Sequence, residues 1–281
     1  MDFMRRYSTP RTWWVLAVLL LASSRIGFAE VLPSIKGEVE ANVLARGLQN
    51  PDGIAVHPQT QAIYVSERGA GRISVIQNGT AVPVTTSGWT VEDNLPDWAP
   101  TSQKTAEAWK ANRLESPGAI AISTNGHLFV AEFIPRGRIL EFIPDAQGKF
   151  TKVNAVPVPW LDKPYAWDDL KVSKADRLYV AGSDAESLGG AKFGSVLVRE
   201  PNGDWWAADY GPFVDYSSIC YSEDQDVLVT AERPNGTLTW WDAYRHMVIG
   251  QITNLTPASE IECIALLADG AIAVAKKASP G

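Results

Sequence analysis

The sequence predicts an all-β protein with the β-propeller fold, and three observations lead to this prediction. First, five segments of similar sequence each begin with a short apolar strand, namely PDGIAV at 51, PGAIAI at 117, WDDLKV at 167, YSSICY at 216 and IECIAL at 261. Second, each segment continues with a polar turn and a second apolar strand, and four of the five add a third strand, as an antiparallel meander does. Third, the segments are spaced by 66, 50, 49 and 45 residues, which is the period of a propeller blade.

The N-terminus precedes this repeat and predicts a signal peptide over residues 1–29. Arg5, Arg6 and Arg11 come before an apolar run at 13–22 and a small-residue site at 27–29, the order found in signal peptides. The uncharged stretch between Arg11 and Arg25 has 13 residues, whereas a membrane-spanning helix needs about 20. We therefore expect a secreted or periplasmic protein that is not held in a membrane after cleavage.

Residues 30–281 are predicted to form one propeller domain, because no linker-like stretch divides them. They carry 21 basic and 31 acidic residues, a net charge of about −10. A surface of this charge repels a phosphate backbone, so nucleic acid is excluded as a partner. We expect a monomer whose partner is a small-molecule substrate, a protein or a glycan.

An insertion at about 79–114 explains the longest spacing between repeats. Within it, residues 105–112 predict a short helix. The last unit has two strands before Gly281, which would leave an open sheet edge. We expect residues 39–48 to supply the missing outer strand, so that strands from both termini close the ring. Five blades are the simplest count, and a sixth would require the insertion to form a blade.

The first strand of each blade lines the central channel of a propeller, and its opening residue lies at the channel mouth. In this chain the mouth residues are Asp52, Gly118, Asp168, Ser217 and Glu262. Three carboxylates on one axis repel each other unless they bind a cation, share a proton or are well solvated. We therefore predict Asp52, Asp168 and Glu262 as metal ligands and Asp168 and Glu262 as catalytic residues. The alternative for Asp52 is structural, as the central residue of a Pro-Asp-Gly turn.

The segments GLQNPDGIAVHPQTQAIYVSERGAGRISVI and SPGAIAISTNGHLFVAEF resemble NHL-type propeller repeats and the related gluconolactonase and regucalcin superfamily. The resemblance implies one divalent ion, with Ca²⁺ favoured, held by a Glu, two Asn and an Asp at the blade starts. Asp52 stands at the position of that Glu, and Asp168 and Glu262 take other ligand positions. The two Asn ligands of the family are absent from this chain, because Gly118 and Ser217 occupy mouth positions. Only three side-chain ligands therefore remain. The resemblance implies hydrolysis of a small lactone or ester.

Other functions stay open. NHL-type propellers also serve as non-catalytic scaffolds that bind a protein or glycan. Some five-bladed glycosidases use two Asp and one Glu around the cavity, and Trp89, Trp98, Trp109, Trp160 and Trp167 lie in or beside the predicted upper loops, where sugars would stack. The first blade also resembles that of quinone-cofactor sugar dehydrogenases, although His57 and His127 fall in turns away from the mouth.

Two further sets of residues are predicted to be structural. Glu67, Glu132 and Glu232 recur at the end of the second strand, and in two blades an Arg follows in the third strand. This recurrence predicts Glu–Arg or Glu–backbone pairing within each blade. Cys220 and Cys263 are expected to be buried free thiols without a disulfide, because they point the same way in their own blades.

Overall fold

A computed structural model describes residues 43–85, 89–92, 102–158, 165–184, 193–212, 214–233, 236–255, 261–267 and 270–276. These residues form five consecutive antiparallel units, of which four have the four-stranded meander of a propeller blade and the fifth has two strands. The predicted signal peptide at 1–29 lies outside the described residues and stays a prediction. Among the described residues, no helix is long and apolar enough to cross a membrane.

Each unit runs in chain order from an inner to an outer strand. Blade 1 contains β1 (Pro51–Val56), β2 (Ile63–Glu67), β3 (Arg72–Gln77) and β4 (Thr80–Pro83). Blade 2 contains β6 (Pro117–Ile122), β7 (Leu128–Glu132), β8 (Ile139–Pro144) and β9 (Phe150–Ala155), preceded by the short strand β5 (Thr90–Glu92) and the helix α1 (Gln103–Lys110). Blade 3 contains β10 (Tyr165–Val172), β11 (Leu178–Asp184), β12 (Phe193–Arg199) and β13 (Trp205–Pro212). Blade 4 contains β14 (Tyr216–Ser222), β15 (Val227–Glu232), β16 (Thr237–Asp242) and β17 (Met247–Ile252), and unit 5 contains β18 (Ile261–Leu266) and β19 (Ile272–Lys276).

Local sequence explains how the strands are joined. The β3–β4 hairpin closes through Asn78-Gly79, since Gln77 pairs with Thr80 and both turn residues have positive φ. Asn-Gly is the pair that a two-residue type I′ turn favours. The strands themselves are rich in β-branched and aromatic residues, which fit a pleated and half-buried surface.

The core consists of four apolar clusters, one at each interface between successive units. For example, Phe129 and Ile139 of blade 2 pack with Trp167 and Leu178 of blade 3, and Cys220 of blade 4 packs with Ile264 of unit 5, whose main-chain N–H bonds to Ser218 of blade 4. Full burial of one large apolar side chain contributes about 1.5–3 kcal/mol. The inner strands are therefore held side by side in the order β1, β6, β10, β14 and β18.

The insertion between the first two repeats differs from its predicted extent. Strand β4 at 80–83 completes blade 1, and β5 pairs in parallel with β9 at the outer edge of blade 2. The helix begins two residues before the predicted 105–112 because the side chain of Ser102 accepts a hydrogen bond from the N–H of Thr105 and caps it. Strand β4 was assigned to the insertion because a strand of four residues that ends in proline is too short to give a recognisable strand pattern.

Closure of the ring by both termini stays a prediction. In the described part of the predicted N-terminal strand, Arg46 forms a parallel bridge with Thr80 of blade 1. Residues 39–42 lie outside the described residues. Unit 5 remains two-stranded within the part of the chain that the structure describes.

The recurrent glutamates of blades 1 and 2 are confirmed as structural. Arg138 Nε and Nη2 bond to the two carboxylate oxygens of Glu132 at 2.9 and 2.7 Å, and Trp109 Nε1 also donates to Glu132. Both partners of this pair are buried. Glu67 accepts from Arg72 Nε at 2.8 Å in the same way.

Glu232 departs from this pattern, because Thr237 stands opposite it in β16, where blades 1 and 2 have an arginine. Burial and the charge of Asp209 raise the pKa of Glu232. The predicted Glu–Arg pairing within the blade therefore holds for two of the three glutamates.

Candidate functional site

The five predicted mouth residues occupy the same structural position. The pairing of every first strand with its second strand is interrupted at this point, between Pro51 and Ile54 in blade 1 and at the equivalent residues of the other four units. Such bulges re-aim side chains and are frequent beside binding sites. Asp52, Gly118, Asp168, Ser217 and Glu262 all lie within these interruptions. The channel mouth is therefore the candidate site.

Asp52 forms one side of the mouth together with Arg68. Its Oδ2 accepts from Arg68 Nη1 at 3.0 Å, and its side chain is 38% exposed. The guanidinium of Arg68 also bonds to Ser116 Oγ and stacks over the ring of Phe133, 4.6 Å from its centroid. Partial burial raises the pKa of Asp52, Arg68 opposes the rise, and the charge of Asp169 adds to it. Asp52 is therefore a solvent-accessible carboxyl that binds a proton more readily than an ordinary Asp.

Asp168 is held by a second arginine and differs from Asp52 in exposure. Its Oδ1 accepts from Arg233 Nη2 at 2.7 Å, and the side chain is only 3% exposed. Arg233 also donates through Nη1 to Asp215 at 2.9 Å and to the carbonyl of Tyr216. Burial acts to lower the pKa of Arg233, but the two carboxylates outweigh it and the net shift is upward. Arg233 therefore stays charged and joins blade 3 to blade 4 at the mouth.

Asp169, the next residue, also forms hydrogen bonds between blades 3 and 4. Its Oδ2 accepts from Ser218 Oγ at 2.7 Å and from the N–H of Ile219 at 2.9 Å. Its Oδ1 accepts from Lys171 Nζ at 2.7 Å. The charge of Asp169 also raises the pKa of Asp52, so the two carboxylates repel each other.

The predicted trio lies at equivalent bulges of three inner strands and is not gathered around one point. Asp52 and Asp168 each bond to their own arginine, and Glu262 is exposed in unit 5. Within the described ranges, no group of three or more His, Cys, Asp or Glu could hold a metal ion. An arginine lies beside two of the three carboxylates, so a divalent cation would reach them only if Arg68 and Arg233 moved aside.

Glycines keep the mouth narrow and clear. A Cβ on Gly53 would lie 2.5 Å from the carbonyl oxygen of Gly118, so only glycine allows β1 and β6 to approach this closely. A Cβ on Gly118 would lie 2.9 Å from Cβ of Phe133 and 3.6 Å from Asp52 Oδ2. The glycine at 118 therefore leaves space beside the Asp52 carboxylate.

The tryptophans predicted near the upper loops do not line the site where they are described. Trp89, Trp109 and Trp167 are buried in the core or behind the glutamate pairs, which corrects their placement in sugar-stacking loops. Trp98 and Trp160 lie outside the described residues. Burial of an indole ring removes a large apolar area from water, which favours the core position of these tryptophans. The surrounding loop sequence does not indicate that the ring turns toward the core.

The two thiols are free, as predicted, but only one is buried. Cys220 is buried, and desolvation raises its pKa to about 12, so it is an unreactive thiol. Cys263 is exposed, contrary to the prediction. Its side chain lies on the bulge of unit 5, where Sγ is 3.9 Å from Ser218 Oγ.

Sequence reasoning missed Arg68, Arg233, Asp169 and Asp215. A signal for the two arginines was present, because each directly follows a recurrent glutamate at the end of a second strand. The Asp168–Arg233 pair joins residues that are 65 positions apart. No local pattern indicates such a contact.

Comparison with known proteins supports the fold. No protein-family profile matches the chain, and no curated protein matches it either. Among solved structures, the chain resembles the Dos1 propeller, with 12% identity and a TM-score of 0.54, covering 80% of this chain and 52% of that one. The chain is a β-propeller. It thus spans about half the length of the Dos1 propeller chain.

Two enzymes of known structure share this propeller fold. A gluconolactonase from Xanthomonas campestris is 12% identical, with a TM-score of 0.55, over 83% of this propeller and 71% of the enzyme. The PQQ-bound aldose sugar dehydrogenase from Streptomyces coelicolor is 15% identical, with a TM-score of 0.53, over 84% of this propeller and 76% of the enzyme. At these identities the likeness extends to the fold alone.

Proposed function

We propose that the channel mouth binds a small, neutral, hydroxyl-bearing molecule and that this propeller hydrolyses a small lactone or ester there. The observation that carries the proposal is the bulge repeated in all five inner strands, since bulges re-aim side chains and are frequent beside binding sites. Fold likeness to a gluconolactonase is compatible with this substrate class but does not establish it.

The two Asp–Arg pairs favour hydroxyl groups. A hydroxyl both donates and accepts, and a planar carboxylate beside a planar guanidinium offers an acceptor and a donor next to each other. The described mouth contains Arg68, Lys171 and Arg233 against five carboxylates, those of Asp52, Asp168, Asp169, Asp215 and Glu262. This acidic surplus disfavours an anionic ligand and leaves a neutral polyol or lactone as the better match.

Asp52 is the proposed general base. Its carboxylate takes a proton from a water molecule, whose oxygen bonds to the carbonyl carbon of the lactone. The ring C–O bond then breaks, and the proton returns to the leaving oxygen, which gives the hydroxy acid. Arg68 lies beside the base and offers donors to the developing oxyanion. Glu262 and Asp168 remain the candidate catalytic partners of Asp52.

A panel of small lactones and esters, followed by acid release, tests this reaction. We expect turnover that rises with pH through the pKa of Asp52, which lies above its ordinary 3.8, because the base must be ionised. The Asp52→Asn variant should lose about 100-fold or more. Asp224→Asn, an exposed turn residue at the opposite end of blade 4, is the matched control. Turnover that survives in Asp52→Asn would contradict the assignment of the base.

A divalent cation is the second candidate ligand, and the acidic surplus at the mouth favours it. Asp52, Asp168 and Glu262 remain its proposed ligands, although binding would require Arg68 and Arg233 to move aside. Calorimetric titration of Ca²⁺, Mg²⁺, Mn²⁺ and Zn²⁺ into chelator-treated protein tests this role. Binding that is lost in Asp168→Asn would support it, and the absence of binding by every ion would remove it.

A further inference from the structure

The outer strand of blade 4 presents apolar side chains to solvent. In β17, exposure is 52% for Met247, 49% for Val248, 55% for Ile249 and 48% for Ile252. Tyr244, in the turn before the strand, is exposed as well. Of the nine exposed large apolar residues in the described chain, five lie between 244 and 252. This concentration distinguishes β17 from the scattered apolar residues of an ordinary surface.

The outer strands of blades 1 to 3 are protected against pairing with another chain. Strand β4 has four residues and ends at Pro83. Strand β9 is covered at its outer edge by β5, and β13 contains a charged Asp209 and ends at Pro212. Short length, proline, charge and an added strand are the usual means of blocking an edge.

Strand β17 has none of these protections. Its sequence, MVIGQI, contains no charged residue and no proline. It pairs with β16 on one side, and within the described residues no strand pairs with its other side. A Cβ on Gly250 would meet no atom within 4 Å, so the middle of the strand is open.

The strand is also held in place before any partner arrives. Asp242 Oδ1 accepts from the N–H groups of Tyr244 and Arg245 at 3.1 and 2.7 Å, which fixes the turn between β16 and β17. The ring of His246 stacks on Trp206 of blade 3, with 3.4 Å between centroids. Pairing with β17 would therefore require little further ordering of the strand.

We propose that β17 is a dimer interface, in which it pairs antiparallel with β17 of a second copy around a two-fold axis. Such pairing places the same residues on both sides of the contact. The open edge of β17 in each copy then forms hydrogen bonds with the open edge of β17 in the other copy. The chain carries a net charge of −7, so two copies repel each other overall. The uncharged β17 is a surface on which this repulsion is weakest.

The position of β17 in the blade is compatible with this dimer. It is the outermost strand of its sheet, so the sheets of two copies continue into each other while the two channels stay apart. The proposed dimer differs from the monomer expected from the sequence. It does not depend on the proposed reaction, because the mouth lies at the inner strands.

Sedimentation velocity on the whole mature protein, from about 1 to about 100 µM, tests the proposal. We expect a monomer–dimer equilibrium that shifts toward dimer as concentration rises. Ile249→Lys and Ile252→Glu should each raise the dimer dissociation constant by about tenfold or more, because a charge placed in the edge blocks pairing. Val82→Lys, at a comparably exposed site in β4, is the control and should leave the equilibrium unchanged.

Thermal unfolding of the two β17 variants shows whether they remain folded. We expect both to fold, because the substituted positions are exposed. A protein that stays monomeric over the whole concentration range would overturn the proposal. A dimer that persists unchanged in both folded β17 variants would overturn it as well.

Discussion

Among individual residues, the buried Glu–Arg pair of blade 2 shows how an ionisable side chain is made compatible with a core. Glu132 receives hydrogen bonds from Arg138, from Trp109 Nε1 and from the N–H of Glu115. A buried ion pair adds little net stability, but loss of one partner leaves a buried charge unpaired. The pair is therefore sensitive to mutation although it is not a catalytic site.

Arg138→Ala should lower the free energy of unfolding by about 3–5 kcal/mol, because it leaves Glu132 buried without its cation. Urea denaturation measures the change. The control is Arg245→Ala, which removes an exposed arginine from its pair with Asp242 and should change stability by less than about 1 kcal/mol. Equal effects of the two substitutions would contradict this account of the pair.

Glu67 makes stability depend on pH. Burial acts to raise the pKa of Glu67, but hydrogen bonds from Arg72, Ser74 and the N–H of Gln49 outweigh it and the net shift is downward. A lowered folded-state pKa contributes stability above the unfolded value of 4.5, and this stability is lost as pH falls through the folded pKa. Glu67→Gln should therefore flatten the acid side of the stability curve, measured by urea denaturation at a series of pH values. A curve as steep as that of the wild type would show that Glu67 is not the source.

At the level of strands, blade 3 replaces the recurrent glutamate with a glycine and a tryptophan. Gly182 occupies the position of Glu67 and Glu132, and the indole of Trp167 fills the space and donates from Nε1 to the carbonyl of Gly137 at 2.8 Å. A Cβ on Gly182 would lie 2.6 Å from the Trp167 ring. The ring of Trp167 therefore leaves no space for a side chain at position 182.

Gly182→Ala should destabilise the protein by about 1–3 kcal/mol, since the ring of Trp167 has no room to move within the core. Gly250→Ala is the matched control in another strand, because a Cβ there meets no neighbour. Thermal unfolding of the two variants measures the difference. Similar stability of both variants would mean that the indole relaxes freely.

Strand patterns predicted the inner and middle strands well, and they failed where the structure depends on distant contacts. The five first strands were found because each combines an apolar run with a turn signal. Asp168 lies in the bulge of its inner strand, as the repeat predicts, yet its partner Arg233 follows a strand of the next blade. The exposure of Cys263 likewise depends on what packs against unit 5, which the cysteine's own segment does not encode.

For the whole molecule, the repeat period was sufficient to predict the propeller. Blades bury their faces against their neighbours, so the same apolar strand must recur at every interface, and the four core clusters follow this rule. The function was less accessible from sequence. The residues at the mouth are set by the repeat, but the arginines that pair with Asp52 and Asp168 come from other positions, and these pairs were not predicted from the sequence.

The proposed function requires that this mouth binds a small hydroxyl-bearing molecule through its Asp–Arg pairs. Calorimetric titration of a sugar lactam, which keeps the hydroxyl and carbonyl groups of a lactone but resists hydrolysis, tests it most directly. We expect binding to the wild type and to Arg245→Ala, and affinity weaker by about tenfold or more in Arg68→Ala and in Arg233→Ala. Absence of binding, or equal affinity in all four proteins, would contradict the claim.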